Sequence, residues 1–164
     1  MSGSEHEQIA QLRAFLNQQV IGQEGLTLRL LIALLAAQRD KFSNLKPRPE
    51  LNIRVTPTHF RIPDVCGLTA PPKDGKYPDA ETPPLFTIEI VSEGETWTDL
   101  RAKVKDHLAV GVSVVIIADP YDKTVTVATQ SELLHEISPP LIVRIPVPDA
   151  GILEIDFDDL YREL

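Results

Sequence analysis

The feature that most constrains this chain is the run over residues 85–91, which reads LFTIEIV and carries a single charged side chain, Glu89. A near-continuous apolar run of this length is typical of a central β-strand that is covered on both faces. A carboxylate inside such a strand is costly to bury unless it is paired with a cation or bound to a metal. The alternative is that Glu89 points to a solvated face of the sheet. The strand is apolar on both sides, which weakens that alternative.

The rest of the sequence predicts an α/β fold, with a mixed (α+β) sheet flanked by helices. Apolar residues at helical spacing predict helices over 9–20, 26–42 and 99–110, with a short one at the C-terminus. Thr98 is placed to cap the third helix and Gly111 to end it. Runs of alternating or β-branched residues predict strands over 51–55, 60–68, 85–91, 112–118, 124–128, 141–145 and 152–155. Pro63 interrupts the second of these strands, which indicates an edge or a bulge.

The length of 164 residues favours a single domain over 1–164. Within it we expect a disordered polar segment at 1–8, N-terminal helices at 9–45 and a core at 50–130. Strands and a short helix complete the domain at 131–164.

Composition narrows the possible partners and compartments. Acidic residues outnumber Lys and Arg by 24 to 16, which gives a net charge of −8. Tight binding of nucleic acid usually needs a basic patch, so this balance argues against avid binding of duplex DNA. The single cysteine excludes an internal disulfide and fits a cytoplasmic location. We find no signal peptide and no apolar run long enough to span a membrane.

Two carboxylates and a lysine form the strongest candidate site. Asp64 follows Pro63, Glu89 lies inside the central strand, and Lys103 lies on the helix that comes next. Carboxylate oxygens are the ligands that hard cations such as Mg²⁺ prefer. The cation and the lysine can together offset the charge that grows on a phosphate as water attacks it. These residues therefore predict a magnesium-dependent phosphodiesterase.

Each of these residues also has an ordinary structural interpretation. An aspartate is common at turns and strand ends. Asp99, Lys103 and His107 are spaced four apart and share one helix face, which could be a solvated face with an Asp99–Lys103 ion pair. A zinc site is disfavoured because no ligand spacing links the candidate residues His59, Cys66, His107 and His135.

Four segments together resemble a known family. They read FRIPDV at 60–65, PPLFTIEIVS at 83–92, DLRAKVKDHLAVGV at 99–112 and VIIADP at 115–120. In order and spacing they resemble the Uma-type family of bacterial endonucleases, which is placed in the PD-(D/E)XK restriction-endonuclease-like superfamily. The resemblance covers roughly residues 50–130. It implies a central sheet flanked by helices, DNA as substrate and Mg²⁺ or Mn²⁺ as cofactor.

The resemblance also implies a role for each site residue. Asp64 and Glu89 would be metal ligands, joined by the backbone carbonyl of Ile90. Lys103 would be the catalytic lysine, because Val91 occupies the position where the superfamily usually has one. Further accessory candidates are Glu24, Asp99 and His107.

The sequence departs from the family pattern at three places. Leu85 stands where many relatives have an aspartate after a proline, His107 replaces a common tyrosine, and Val114 with Val115 replaces an aromatic pair. These departures keep a second hypothesis open, in which a catalytically degenerate nuclease fold serves as a protein-interaction or regulatory module. A metal-dependent hydrolase of small phosphoesters is a third. An apolar hairpin edge also predicts a homo-oligomer, such as a dimer.

Overall fold

The structure is a computed structural model that describes residues 22–164. Within this range it contains helices α1 (Gly22–Ala37), α2 (Trp97–Val110) and α3 (Phe157–Arg162). The predicted helix over 9–20 and the predicted disorder over 1–8 lie outside the described residues. None of the helices in the described range combines the length and the apolar character needed to cross a membrane.

Ten strands are described: β1 (Lys46–Pro49), β2 (Ile53–Thr56), β3 (His59–Arg61), β4 (Val65–Leu68), β5 (Phe86–Ile90), β6 (Val114–Asp119), β7 (Thr124–Thr129), β8 (His135–Glu136), β9 (Ile142–Val147) and β10 (Gly151–Asp156). Six of them form the central sheet in the order β1-β4-β5-β6-β7-β8. The central pair β5 and β6 is parallel, whereas its other neighbours are antiparallel. The strands β2–β3 and β9–β10 form two separate hairpins.

The two faces of the central sheet are covered by different elements. Phe86, Ile88 and Ile90 of β5 pack into a cluster with α1, α3 and the β9–β10 hairpin. Residues of β6 that alternate with this cluster pack on the other face against α2, through Leu100 and Val104. Because side chains alternate along a strand, Glu89 points to the α2 face. Both faces are therefore covered, as the apolar run predicts.

The predicted strand over 60–68 is wrong as a single element. The chain pairs with β2 over β3, passes through Ile62, Pro63 and Asp64, and then joins the central sheet as β4. Pro63 has no N–H to give to a ladder, so the strand ends there and the chain changes sheets. The predicted helix over 26–42 ends at Ala37, and turns continue to Asn44.

The N-cap of α2 lies two residues before the predicted one. It is Thr96 and not Thr98, and the hydroxyl of Thr96 accepts the N–H of Asp99. The carboxylate of Asp99 in turn accepts from the backbone and hydroxyl of Thr96, which completes a capping box. The predicted end at Gly111 is confirmed, because this residue adopts the left-handed conformation with φ of 110°.

The edge strand β1 has the sequence KPRP and was not predicted. Lys46 and Arg48 lie opposite Leu68 and Cys66 of β4. The residue after the strand, Glu50, donates its N–H to the carbonyl of Asp64, so the even-numbered residues face β4. Pro47 and Pro49 therefore occupy the positions that face away from the sheet. Proline cannot donate to another strand, and this edge resists extension of the sheet.

Candidate active site

The topology brings Asp64 and the end of β5 together. Asp64 directly precedes β4, and β4 is antiparallel to β5, so the start of one strand lies beside the end of the other. The backbone N–H of Ile90 donates to Oδ2 of Asp64 at 2.6 Å. The N–H and carbonyl of one strand residue face the same neighbouring strand. The Ile90 carbonyl therefore also faces the β4 side, where Asp64 lies.

Glu89 is buried, with 2% of its surface exposed, and both of its carboxylate oxygens are engaged by α2. The ammonium of Lys103 donates to Oε2 at 3.2 Å, and Nε2 of His107 lies 2.7 Å from Oε1. Lys103 and His107 are one helical turn apart, so they approach Glu89 from the same face of α2. The structure therefore brings Asp64, Glu89, Lys103 and His107 into one cluster.

One member of this cluster was missed by the sequence reasoning. Glu95 lies in the connection between β5 and α2, and its Oε1 accepts from Lys103 Nζ at 2.6 Å. Lys103 therefore bridges two carboxylates. The sequence feature that could have indicated Glu95 is the acidic character of this connection, which joins the strand of Glu89 directly to the helix of Lys103.

Several neighbouring groups shift the pKa of Asp64, and the net effect is a rise. Burial raises this pKa from an ordinary value of 3.8 to about 6, and the charge of Glu89 adds to the rise. The N–H of Ile90 and the charge of Lys103 act in the opposite direction but do not cancel it. Within residues 22–164, Asp64 has no ion-pair partner of its own.

Lys103 is held in its charged form. Burial by itself would lower the pKa of Lys103, but the hydrogen bond to Glu95 and the charge of Glu89 outweigh burial, so the pKa is raised. A charged ammonium can orient a water molecule or offset charge on a phosphate, but it cannot accept a proton. This charge state fits electrostatic stabilisation better than general-base catalysis.

Two predicted accessory residues make other contacts. Asp99 is exposed and caps α2 through Thr96, so the alternative Asp99–Lys103 ion pair is not formed. Glu24 of α1 accepts a hydrogen bond from the hydroxyl of Tyr121, which raises the pKa of Tyr121 to about 12. Tyr121 follows β6, whose end lies at the same edge of the sheet as the end of β5. A metal-binding role for Glu24 stays a prediction.

The donor set suits a hard divalent cation. Asp64, Glu89 and the Ile90 carbonyl offer oxygen ligands, and Lys103 contacts two carboxylates of the cluster, those of Glu89 and Glu95. The pKa of Asp64 is raised mainly by its burial and further by the charge of Glu89. No group of three or more His, Cys, Asp or Glu side chains in the described range is arranged to hold a metal. Mg²⁺ commonly binds to one or two protein carboxylates and keeps several waters, so Asp64, Glu89 and the Ile90 carbonyl are the groups that could hold it.

A zinc site does not form among the candidate residues within residues 22–164. His59 contacts Asp106, while His107 contacts Glu89. Cys66 is fully buried in an apolar cluster with Ile53, Leu68 and Val110.

Comparison with known proteins decides the family. The model of the Uma2 family, described as "Putative restriction endonuclease", matches residues 17–151. The chain belongs to the Uma2 family. This confirms the family indicated by the sequence motifs, and it places the cluster of Asp64, Glu89 and Lys103 inside the matched region of this Uma2 chain.

A solved structure shows the fold of this Uma2 chain. It is the structure of "a putative nuclease belonging to DUF820 from Anabaena variabilis ATCC 29413", with a TM-score of 0.69 and 18% sequence identity. The similarity covers 87% of this chain and 82% of the other. The predicted α/β restriction-endonuclease-like fold is thereby confirmed. A search of curated proteins found no match.

Proposed function

We propose that this protein is a metal-dependent endonuclease that hydrolyses phosphodiester bonds of DNA. The observation that carries the proposal is the meeting of Asp64 and the Glu89–Ile90 strand end at one edge of the sheet, with the ammonium of Lys103 on Glu89. Family membership supports the same reaction class.

The residues of the cluster would have separate roles in the reaction. Asp64, Glu89 and the carbonyl of Ile90 would hold Mg²⁺ or Mn²⁺, which when bound polarises the scissile phosphate. Lys103 would orient the attacking water and offset the negative charge that develops as the phosphodiester is cleaved. Glu95 and Glu89 hold the Lys103 ammonium in place through the hydrogen bonds at 2.6 and 3.2 Å.

A groove beside the edge strand carries cations suited to contact a DNA backbone, at the Leu68 end of β4, whereas Asp64 precedes the other end of that strand. The groove has a volume of about 380 Å³ and is lined by Lys46, Arg48 and Lys76 among other residues. These three cations form no ion pair with a carboxylate in the described part of the chain. Lys and Arg that are not neutralised are suited to phosphate contacts, even in a protein whose net charge is −8.

A second candidate function is a catalytically degenerate fold that binds a protein partner. The observation that favours it is the engagement of both Glu89 oxygens by Lys103 and His107. Such a paired glutamate can serve as a structural anchor for α2 without binding a metal.

Calorimetric titration with Mn²⁺ and Mg²⁺ separates the two functions. Wild type should bind the ion and Asp64→Asn should lose binding. The control Asp106→Asn should keep it, because Asp106 pairs with Arg61 and His59 and with none of the proposed metal ligands. If wild type binds neither ion, the degenerate function is the better explanation. If it binds, nicking of supercoiled plasmid DNA with the metal and with a chelator tests the reaction. Metal binding without any metal-dependent cleavage would contradict the proposed activity.

A further inference from the structure

An exposed apolar knob lies on the outer side of α2. Leu133, in the connection between β7 and β8, has 91% of its surface exposed, and Trp97 at the start of α2 has 43% exposed. Both are large apolar side chains that would leave water favourably on contact with another protein.

The knob stands between two hollows. One has a volume of about 360 Å³ and extends along α2, and the other has about 370 Å³ and includes Trp97. Leu133, Leu134 and Arg101 line both hollows. The surface therefore carries a protruding leucine directly beside a recess of a size that can accept a leucine.

The rim of this surface carries both signs of charge. Arg101 and Lys105 are exposed on α2, and Glu132 and Glu136 are exposed on the facing segment. None of the four forms an ion pair among residues 22–164. We call Trp97, Arg101, Glu132, Leu133, Leu134 and Glu136 the Leu133 surface.

We propose that the Leu133 surface is a two-fold symmetric interface between two copies of this chain. In such an interface the same patch meets itself, so it must carry both members of every contact. The Leu133 surface does so, because it carries a knob with its recess and cations with their anions. Leu133 of each copy enters the hollow beside Trp97 of the other, and Arg101 of each pairs with Glu136 of the other. A nucleic acid partner would contact only the cations of the Leu133 surface and would leave its anions without a role.

This interface is separate from the candidate active site. Arg101 and Lys105 lie on the exposed side of α2, whereas Lys103 turns toward Glu89. Loss of the dimer and loss of metal binding are therefore distinguishable, because either can fail while the other is kept. The interface also avoids the β1 edge, where Pro47 and Pro49 prevent another strand from pairing.

Light scattering coupled to size exclusion, over nanomolar to high micromolar protein, tests the proposal. Wild type should show a species of about twice the chain mass of 18.2 kDa. Leu133→Asp should raise the dimer dissociation constant by at least about tenfold. It should still fold, because the side chain is exposed. The control Ile152→Asp, on the β9–β10 hairpin and 49% exposed, should leave the dimer intact. A monomeric wild type, a dimer unaffected by Leu133→Asp, or an equal loss in the control would each overturn the proposal.

Charge reversal tests the pairing across the interface. Arg101→Glu and Glu136→Arg should each weaken the dimer, because each places like charges opposite one another. The double variant should recover association, since it restores opposite charges with their positions exchanged. Single variants that dimerise like wild type, or a double variant no better than either, would show that these residues do not meet.

Discussion

Replacing Asp64 with asparagine should stabilise the metal-free protein at neutral pH, although it removes a proposed metal ligand. Burial and the charge of Glu89 raise the pKa of Asp64 from 3.8 to about 6. Ionising this group in the folded state therefore costs about 3 kcal/mol above pH 6. Asparagine removes the charge and keeps an oxygen that can accept the N–H of Ile90. Part of the gain is lost because that hydrogen bond is no longer charge-assisted, so we expect a net stabilisation of about 1–3 kcal/mol.

The effect should depend on pH in one direction. A carboxyl group with a raised pKa in the folded state supports stability below its ordinary pKa and loses that support as pH rises through the folded value. The difference between Asp64→Asn and wild type should therefore be small below pH 3.8, grow between 3.8 and about 6, and stay constant above. Urea unfolding followed by circular dichroism, at several pH values in a chelator, measures this difference.

Asp106→Asn is the matched control because its pKa shift has the opposite sign. Burial opposes ionisation of Asp106, but its hydrogen bonds to Arg61 and His59 outweigh burial and hold the pKa below its ordinary value. This variant should lose stability at neutral pH, and the loss should fade as the pH falls through the lowered pKa. Saturating Mg²⁺ or Mn²⁺ should stabilise wild type and the control but not Asp64→Asn. An Asp64→Asn variant less stable than wild type at neutral pH would refute the reasoning about Asp64.

The remaining variants test the other residues of the site and one close contact in the sheet. Lys103→Ala should lower the DNA cleavage rate by about 10²–10³-fold, as expected for loss of one electrostatic donor, and should leave calorimetric metal binding intact. Lys105→Ala should match wild type, and equal cleavage by Lys103→Ala would exclude its role. Glu89→Ala should lower the free energy of unfolding by about 2–3 kcal/mol, because Lys103 and His107 lose the carboxylate that they contact. A gain in stability on denaturant unfolding would contradict this. Gly67→Ala should destabilise the protein by about 3 kcal/mol, because the added Cβ would lie 2.2 Å from a ring atom of Phe86. An unchanged melting temperature on thermal unfolding would contradict this prediction.

The sequence predicts the centre of the site well because its signals there are strong and local. The run over 85–91 is apolar on both faces, which indicates a buried Glu89, and the structure confirms that burial. The helical spacing of Lys103 and His107 places them on one face, and both contact Glu89. Periodicity cannot show that this face turns toward the sheet and away from water, because the packing of α2 depends on residues distant in sequence.

The elements that were missed have weak local signals. The sequence KPRP of β1 shows no alternation of apolar residues, and it is a strand only because β4 lies beside it. The exchange of sheets at Pro63 requires knowledge of which strands pair, and the sequence shows only that a ladder is interrupted there. Glu95 joins the cluster through a loop whose course is set by the strand and the helix that it connects.

The choice between an active centre and a structural ion-pair cluster depends more on Asp64 than on Glu89. Glu89 already has Lys103 and His107, so its burial is explained without a metal. Asp64 has one backbone N–H and no cationic contact within the described chain, and its burial raises its pKa to about 6 despite that hydrogen bond and the charge of Lys103. A neutral side chain would be more stable at that position, and a bound divalent cation would remove the penalty. The environment of Asp64 is therefore the feature that the proposed metal site would explain, and the stability and metal-binding measurements on Asp64→Asn test it directly.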